Sequence, residues 1–185
     1  MTAQKYNTAI FLPGRGARLD SRLGRELTRR GYAVEGRSLH DGFEALSYVE
    51  QVSLIREDLT ERHWTRDSVL VAHSYGGHLA LSALAELPPY PGTLALVSPA
   101  FRAVRRGFHY YRVPGAKRLA ASIDGGAFPC PTGRVGIVSG LHDWQVPTDG
   151  LERLAQVMGV AVSWADRGHD LGPEPVQGLL DRLAI

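Results

Sequence analysis

Thiols, long apolar runs and an excess of either charge are all scarce in this sequence, and each scarcity removes a class of protein. One cysteine, Cys130, among 185 residues excludes a disulfide within the chain and supplies too few thiolates for a structural zinc site. No stretch approaches the roughly 18 continuous apolar residues of a membrane-spanning helix, so no membrane span is expected. Met1 to Asn7 carries neither the basic region nor the apolar run of a secretory signal, which makes the cytoplasm the expected location. The 21 basic residues are nearly matched by 19 acidic ones, a net charge of +2, so the molecule as a whole carries no nucleic-acid footprint. Repeats, charge blocks and low-complexity tracts are missing too. What is present, 44% apolar and 22% charged residues, is the makeup of an ordinary globular protein. At this length it predicts one domain over residues 1–185, held together by its apolar core.

Strand-like and helix-like patterns alternate along the chain. Apolar runs at Thr8–Leu12, Tyr32–Glu35, Ser68–Ala72, Thr93–Val97, Arg134–Ser139 and Val160–Trp164 read as strands. Between them, apolar residues recur at helical spacing: Leu19, Leu23 and Leu27; Leu46, Val49, Val52, Ile55 and Leu59; Leu79, Ala80, Ala83, Leu84 and Leu87; Leu151, Leu154, Ala155 and Met158. Val176, Leu179, Leu180 and Leu183 close the series. Such alternation predicts an α/β fold, a three-layer α/β/α sandwich with a mostly parallel sheet of about six strands. One stretch, 101–132, shows no clear periodicity and reads as a short lid segment inserted in the domain.

Chemistry enters at Ala72-His73-Ser74-Tyr75-Gly76. A serine between the end of a buried strand and the start of a helix sits on a turn so sharp that small residues are needed two positions either side, here Ala72 and Gly76. That turn lifts the hydroxyl off the sheet and aims the amide of Tyr75 at the same point, which brings a nucleophile and half an oxyanion hole together. The plainer alternative makes Ser74 only the N-cap of the next helix.

A serine hydroxyl needs a base, and the base needs an acid to hold it. Asp143 follows the strand Arg134–Ser139, and His169 follows the last strand, so the order Ser74, Asp143, His169 puts all three at the carboxyl ends of parallel strands. His142 is a rival base; Asp166 and Asp170 are rival acids. The second oxyanion donor is expected from Pro13-Gly14-Arg15-Gly16, as the amide of Gly14 or of Arg15. This loop lacks the Lys and Ser/Thr of a phosphate-binding loop and the third glycine of a dinucleotide fingerprint.

With these motifs, spanning about Ile10 to His169, the sequence resembles an α/β-hydrolase, and within that superfamily it is similar to small serine hydrolases of the retinoblastoma-binding-protein type, through the Pro13 to Gly16 loop. The resemblance implies hydrolysis of an ester, thioester or small amide through an acyl-serine, with Ser74, Asp143 and His169 at the triad positions and no metal or organic cofactor. It departs from the pattern in Ala72, where the first elbow glycine usually stands, and in having no histidine before the oxyanion-loop glycine.

Between Phe101 and Cys130 six basic residues meet one acidic residue, Asp124. Arg102, Arg105, Arg106, Tyr110 and Tyr111 in this stretch are candidate substrate or lid contacts, and the basic excess suits an anionic or carrier-linked acyl substrate; the plainer alternative is a solvated cationic face with its aromatics tucked into the core. Two other classes remain on the same architecture: an acyltransferase, lyase or cyclase, and a non-catalytic relative that binds a partner.

Overall fold

In the computed structural model, which describes residues 7–185 apart from the side chain of His109, six parallel strands form one twisted sheet. They are β1 (Asn7–Leu12), β2 (Tyr32–Gly36), β3 (Val69–His73), β4 (Thr93–Val97), β7 (Val135–Gly140) and β8 (Val162–Ala165), in the order β2-β1-β3-β4-β7-β8. Their bounds fall within two residues of the apolar runs. All but Asn7 of the segment read for a leader lies outside the described residues.

This order, combined with the right-handed crossover, dictates which helix covers which face. The step from β1 back to β2 carries α1 (Arg22–Arg29) over one face. Every later step runs the other way and lays α3 (Tyr48–Arg62), α4 (Tyr75–Leu84) and α6 (Thr148–Met158) on the opposite face. The final helix, α7 (Pro173–Arg182), returns to the α1 side, and a short α2 (Gly42–Ala45) precedes α3. Strand alternation divides the core to match. Ile10, Leu12, Leu70, Ala72, Leu94, Leu96 and Ile137 point toward α3, α4 and α6, whereas Ala9, Phe11, Val69, Val71, Ala95, Val97 and Val138 point toward α1 and α7. The central strands β1, β3, β4 and β7 are largely buried on both faces, which explains why they read as apolar runs, whereas the edge strands β2 and β8 are only partly buried. Among the described residues no helix is long and apolar enough to cross a membrane.

The stretch without periodicity has structure of its own. An antiparallel hairpin, β5 (Val104–Arg106) with β6 (His109–Tyr111), is followed by α5 (Ala116–Asp124), whose Leu119 and Ile123 join the core on the α4 and α6 side. Three-residue strands are too short to show a period, and only one face of α5 is apolar. His78 of α4 ties this segment down. Its ring is fully buried, stacked between Tyr48 and Tyr75 at 5.5 and 5.8 Å, and its Nε2 donates to the Pro114 carbonyl at 2.6 Å.

Burial disfavours a charged imidazole, and it pushes His78 down from its ordinary value of 6.5 to about 4. The unfolded chain therefore takes up this proton before the folded one does, so the stability is complete above about pH 6.5 and is lost as pH falls toward 4. Denaturant unfolding between these limits is expected to lose about 1.4 kcal/mol per pH unit through His78. His78→Gln is expected to remove that share of the slope and leave the share of His73, which burial also pushes to about 4.

Candidate active site

The chain reverses its direction of winding between β1 and β3, and the loops leaving these strands open a crevice at their carboxyl ends. Ser74 sits there with φ 53° and ψ −119°, a left-handed conformation that costs a non-glycine residue about 1–3 kcal/mol. Both of its backbone groups are fixed by neighbouring strands and loops. Its amide donates to the Val97 carbonyl at 3.0 Å, and its carbonyl accepts from Ala100 at 3.1 Å and from His78 at 3.2 Å. Ser74 occupies the N-cap position of α4, but its side chain makes no capping hydrogen bond. The hydroxyl is turned elsewhere.

It faces His169, whose Nε2 lies 2.8 Å from Ser74 Oγ. The other ring nitrogen, Nδ1, lies 2.7 Å from Asp143 Oδ2, and the Gln145 amide donates to Asp143 Oδ1 at 2.9 Å. The Asp143 side chain has no exposed surface, whereas a quarter of the His169 side chain remains open to solvent. The loops bearing the two residues are joined by backbone bonds, Leu141 to the Ala165 carbonyl at 2.8 Å and His142 to the Arg167 carbonyl at 2.9 Å. Gly140 permits this approach, since a Cβ there would lie 2.2 Å from the Gly168 carbonyl oxygen.

The rival groups have other partners. His142 Nε2 pairs with Asp166 Oδ1 at 2.7 Å on the surface, and Asp170 pairs with Arg22 at 2.5 Å.

The loop after β1 lies against the serine: a Cβ on Gly14 would come within 3.3 Å of Ser74 Cβ and of His73 Nδ1. Arg15 lays its guanidinium 4.4 Å from the centre of the Tyr75 ring, and Tyr75 donates its hydroxyl to Gln51 Oε1 at 3.1 Å. This cation-π contact brings the two segments that carry the candidate oxyanion amides together. Of the lid candidates, Tyr111 is half-buried, and burial pushes its phenol up, with Arg15 nearby acting in the opposite direction. Arg102 is spent on Asp124 at 2.5 Å and packs against Gly150, while Arg105, Arg106 and Tyr110 are exposed on the hairpin. Among the described residues no group of three or more His, Cys, Asp or Glu is placed to hold a metal ion.

Sequence reading overlooked Ser98. It is fully buried at the end of β4 with φ 42°, its amide donates to the Val138 carbonyl at 2.8 Å, and its hydroxyl approaches the His169 carbonyl at 3.5 Å. A serine closing an apolar run carries no mark of that role in the sequence.

Comparison with solved structures bears on the fold. A protein from Xanthomonas campestris pv. campestris, assigned as a hydrolase of the alpha/beta superfamily, superposes with a TM-score of 0.65 at 20% identity over 96% of this chain and 95% of its own. The chain has the α/β-hydrolase fold. Esterase PE8 superposes on this hydrolase fold with a TM-score of 0.66 at 15% identity, covering 97% of this chain and 92% of its own. The thioesterase domain of the curacin biosynthetic pathway gives 0.64 at 13% identity, covering 98% and 92%. No protein-family model and no curated protein matches the sequence. The narrower likeness to the retinoblastoma-binding-protein type draws no support from these three structures.

The elbow of this fold sets a clear requirement at Gly76, where a Cβ would lie 2.2 Å from the Leu12 carbonyl oxygen and 2.3 Å from that of Pro13. Gly76→Ala is expected to destabilise the protein by about 1–3 kcal/mol or more, read from its denaturation midpoint. Ala72, at the other elbow position, is already packed in the core with no exposed surface. Ala72→Gly is therefore expected to gain no stability.

Proposed function

We propose that the protein is a serine hydrolase that cleaves a carboxylic ester, thioester or small amide through an acyl-serine intermediate. The observation that carries this reading is the unbroken chain from Ser74 Oγ through His169 to Asp143, at 2.8 and 2.7 Å, on a serine whose backbone is held in a strained turn. An esterase and a thioesterase domain among the structural neighbours are in keeping with it.

In this mechanism His169 Nε2 takes the Ser74 proton as Oγ bonds to the carbonyl carbon. Asp143 accepts from Nδ1, which fixes the tautomer with Nε2 free to act as base and stabilises the imidazolium that forms. Its own second oxygen is held by the Gln145 amide, so the carboxylate does not have to reorganise. The developing oxyanion is received by the Tyr75 amide at the start of α4, where helix N–H groups lack intrahelical partners, and by the amide of Gly14 or Arg15. As the tetrahedral intermediate collapses, the bond to the leaving group breaks and that group takes the proton from Nε2. Water, deprotonated by the same imidazole, then releases the acid and restores Ser74.

A fluorophosphonate probe is expected to label the wild type at Ser74 and to leave Ser74→Ala unlabelled. On activated esters Ser74→Ala is expected to lower turnover by roughly 10⁴ to 10⁶, and Asp143→Asn by roughly 10⁴. Hydrolysis by Ser74→Ala at the wild-type rate contradicts the assignment.

The substrate we infer is a small acyl compound, anionic or carrier-linked, drawn by the basic segment. Arg105, Arg106, Arg112 and Lys117 make no ion pair among the described residues and are exposed beside Phe108 and Tyr110. If these charges steer the substrate, kcat/KM for an anionic acyl ester falls with added salt more steeply than for its neutral counterpart. Arg105→Ala with Arg106→Ala is expected to bring the two salt dependences together, whereas equal dependence in the wild type rules steering out.

A further inference from the structure

A cleft of about 410 Å³ opens next to His169 on the α1 and α7 side of the sheet. Its walls are apolar, formed by Leu23 of α1, by Leu171 and Pro173 after the histidine loop, and by Val176 of α7. The rings of His169 and His73 lie at its base, with centroids 5.7 Å apart. Three charged residues line it: Arg22 and Asp170 pair with each other, and Glu26 is held by Arg29 and Arg30, so each of these charges is taken up in an ion pair. Among the described residues neither Ser74 nor the candidate oxyanion groups, Gly14, Arg15 and Tyr75, line it, and no described side chain of the hairpin does.

This separation has a chemical meaning. A substrate spanning the site has two halves. The carbonyl oxygen must point at the oxyanion amides, and the leaving atom must come within reach of His169 Nε2, which hands it a proton as the C–O bond breaks. A cleft walled by the proton donor and remote from the oxyanion donors serves the second half. We propose that this cleft is the leaving-group site and that it takes the aliphatic chain of an uncharged alcohol.

Three features define that occupant. The apolar walls reward burial of methylene groups, worth up to about fourfold in binding for each one removed from water. The volume is that of a small-molecule site and too small for a folded partner. The charged side chains lining the cleft are all engaged in ion pairs, and His73 is held uncharged by burial, so no unpaired charge selects an ionised alcohol. The inference rests on the serine-hydrolase reading given above.

The test compares two ester series by kcat/KM. One holds the acyl group as acetate and lengthens the alcohol from methyl through butyl and hexyl to octyl. The other holds methanol and lengthens the acid from acetate to octanoate. In the wild type, rates are expected to climb along the alcohol series by up to about fourfold per methylene until the cleft is full. Ala17→Phe and Gln177→Trp fill the cleft from opposite, partly exposed walls. Each is expected to flatten the alcohol series to within about twofold while the acyl series keeps its slope. A fluorophosphonate loses only fluoride, which needs no cleft, so labelling of Ser74 in both variants reports a folded protein with its nucleophile intact. An alcohol series that is flat in the wild type, or variants that alter the acyl series instead, overturns the leaving-group site. A wild type that takes no label and cleaves no ester overturns the hydrolase reading itself.

Discussion

The strained turn at Ser74 is the constraint on which the rest of the site depends. A residue with φ 53° in that region persists only where its surroundings over-determine it, and here three backbone hydrogen bonds from β4, the loop after it and α4 do so. The turn forces the close approach that makes glycine necessary at Gly76, because the first turn of α4 runs against the carbonyls of Leu12 and Pro13. It also denies the serine side chain its capping role and sends it across the rim toward His169. Relaxing this one backbone conformation would undo the serine's position, the start of α4 and the contact with the Gly14 loop together.

The other half of the arrangement is held more locally. The segments carrying Asp143 and His169 leave adjacent parallel strands, β7 and β8, and two backbone hydrogen bonds join them just beyond the sheet. A carboxylate with no exposed surface is costly unless its oxygens are hydrogen-bonded, and each oxygen of Asp143 has a partner, Oδ2 the His169 ring and Oδ1 the Gln145 amide. The charges of the rival carboxylates are taken up elsewhere: Asp166 with His142, and Asp170 with Arg22. One imidazole is therefore left facing the serine, out of several histidines near the rim.

The strands were legible because a parallel sheet covered on both faces leaves no polar face to interrupt its strands, so Leu94 to Val97 or Val69 to Ala72 read as apolar runs. The order Ser74, Asp143, His169 was legible because chain order follows strand order in this architecture. What escaped was set by long-range pairing or by short elements. Nothing in the sequence ties Arg22 to Asp170, 148 positions away, or marks Ser98 as a support for the His169 loop. The hairpin and α5 were read as aperiodic because β5 and β6 have three residues each and no second layer of their own. The sum over the basic stretch already counts Asp124, which pairs with Arg102, but it hides Arg118, paired with Glu86 from outside the stretch.

That correction to the charge count bears on what the site would accept. Four of the basic residues between 101 and 130 are exposed and make no ion pair among the described residues, and Tyr111 of the hairpin, which is half-buried, lies toward Arg15 and Tyr75, the candidate oxyanion side. The apolar cleft lies on the other side of the serine's base, and the charged side chains lining it are engaged in ion pairs. In a carrier-linked thioester the anionic carrier is the leaving half, so its charge would have to meet the apolar flank and its acyl chain the basic one. An ester with an aliphatic alcohol and an anionic acid reverses both mismatches. Under the proposed chemistry, the distribution of charge about His169 therefore favours a small ester bearing its negative group on the acyl side over a carrier-bound thioester.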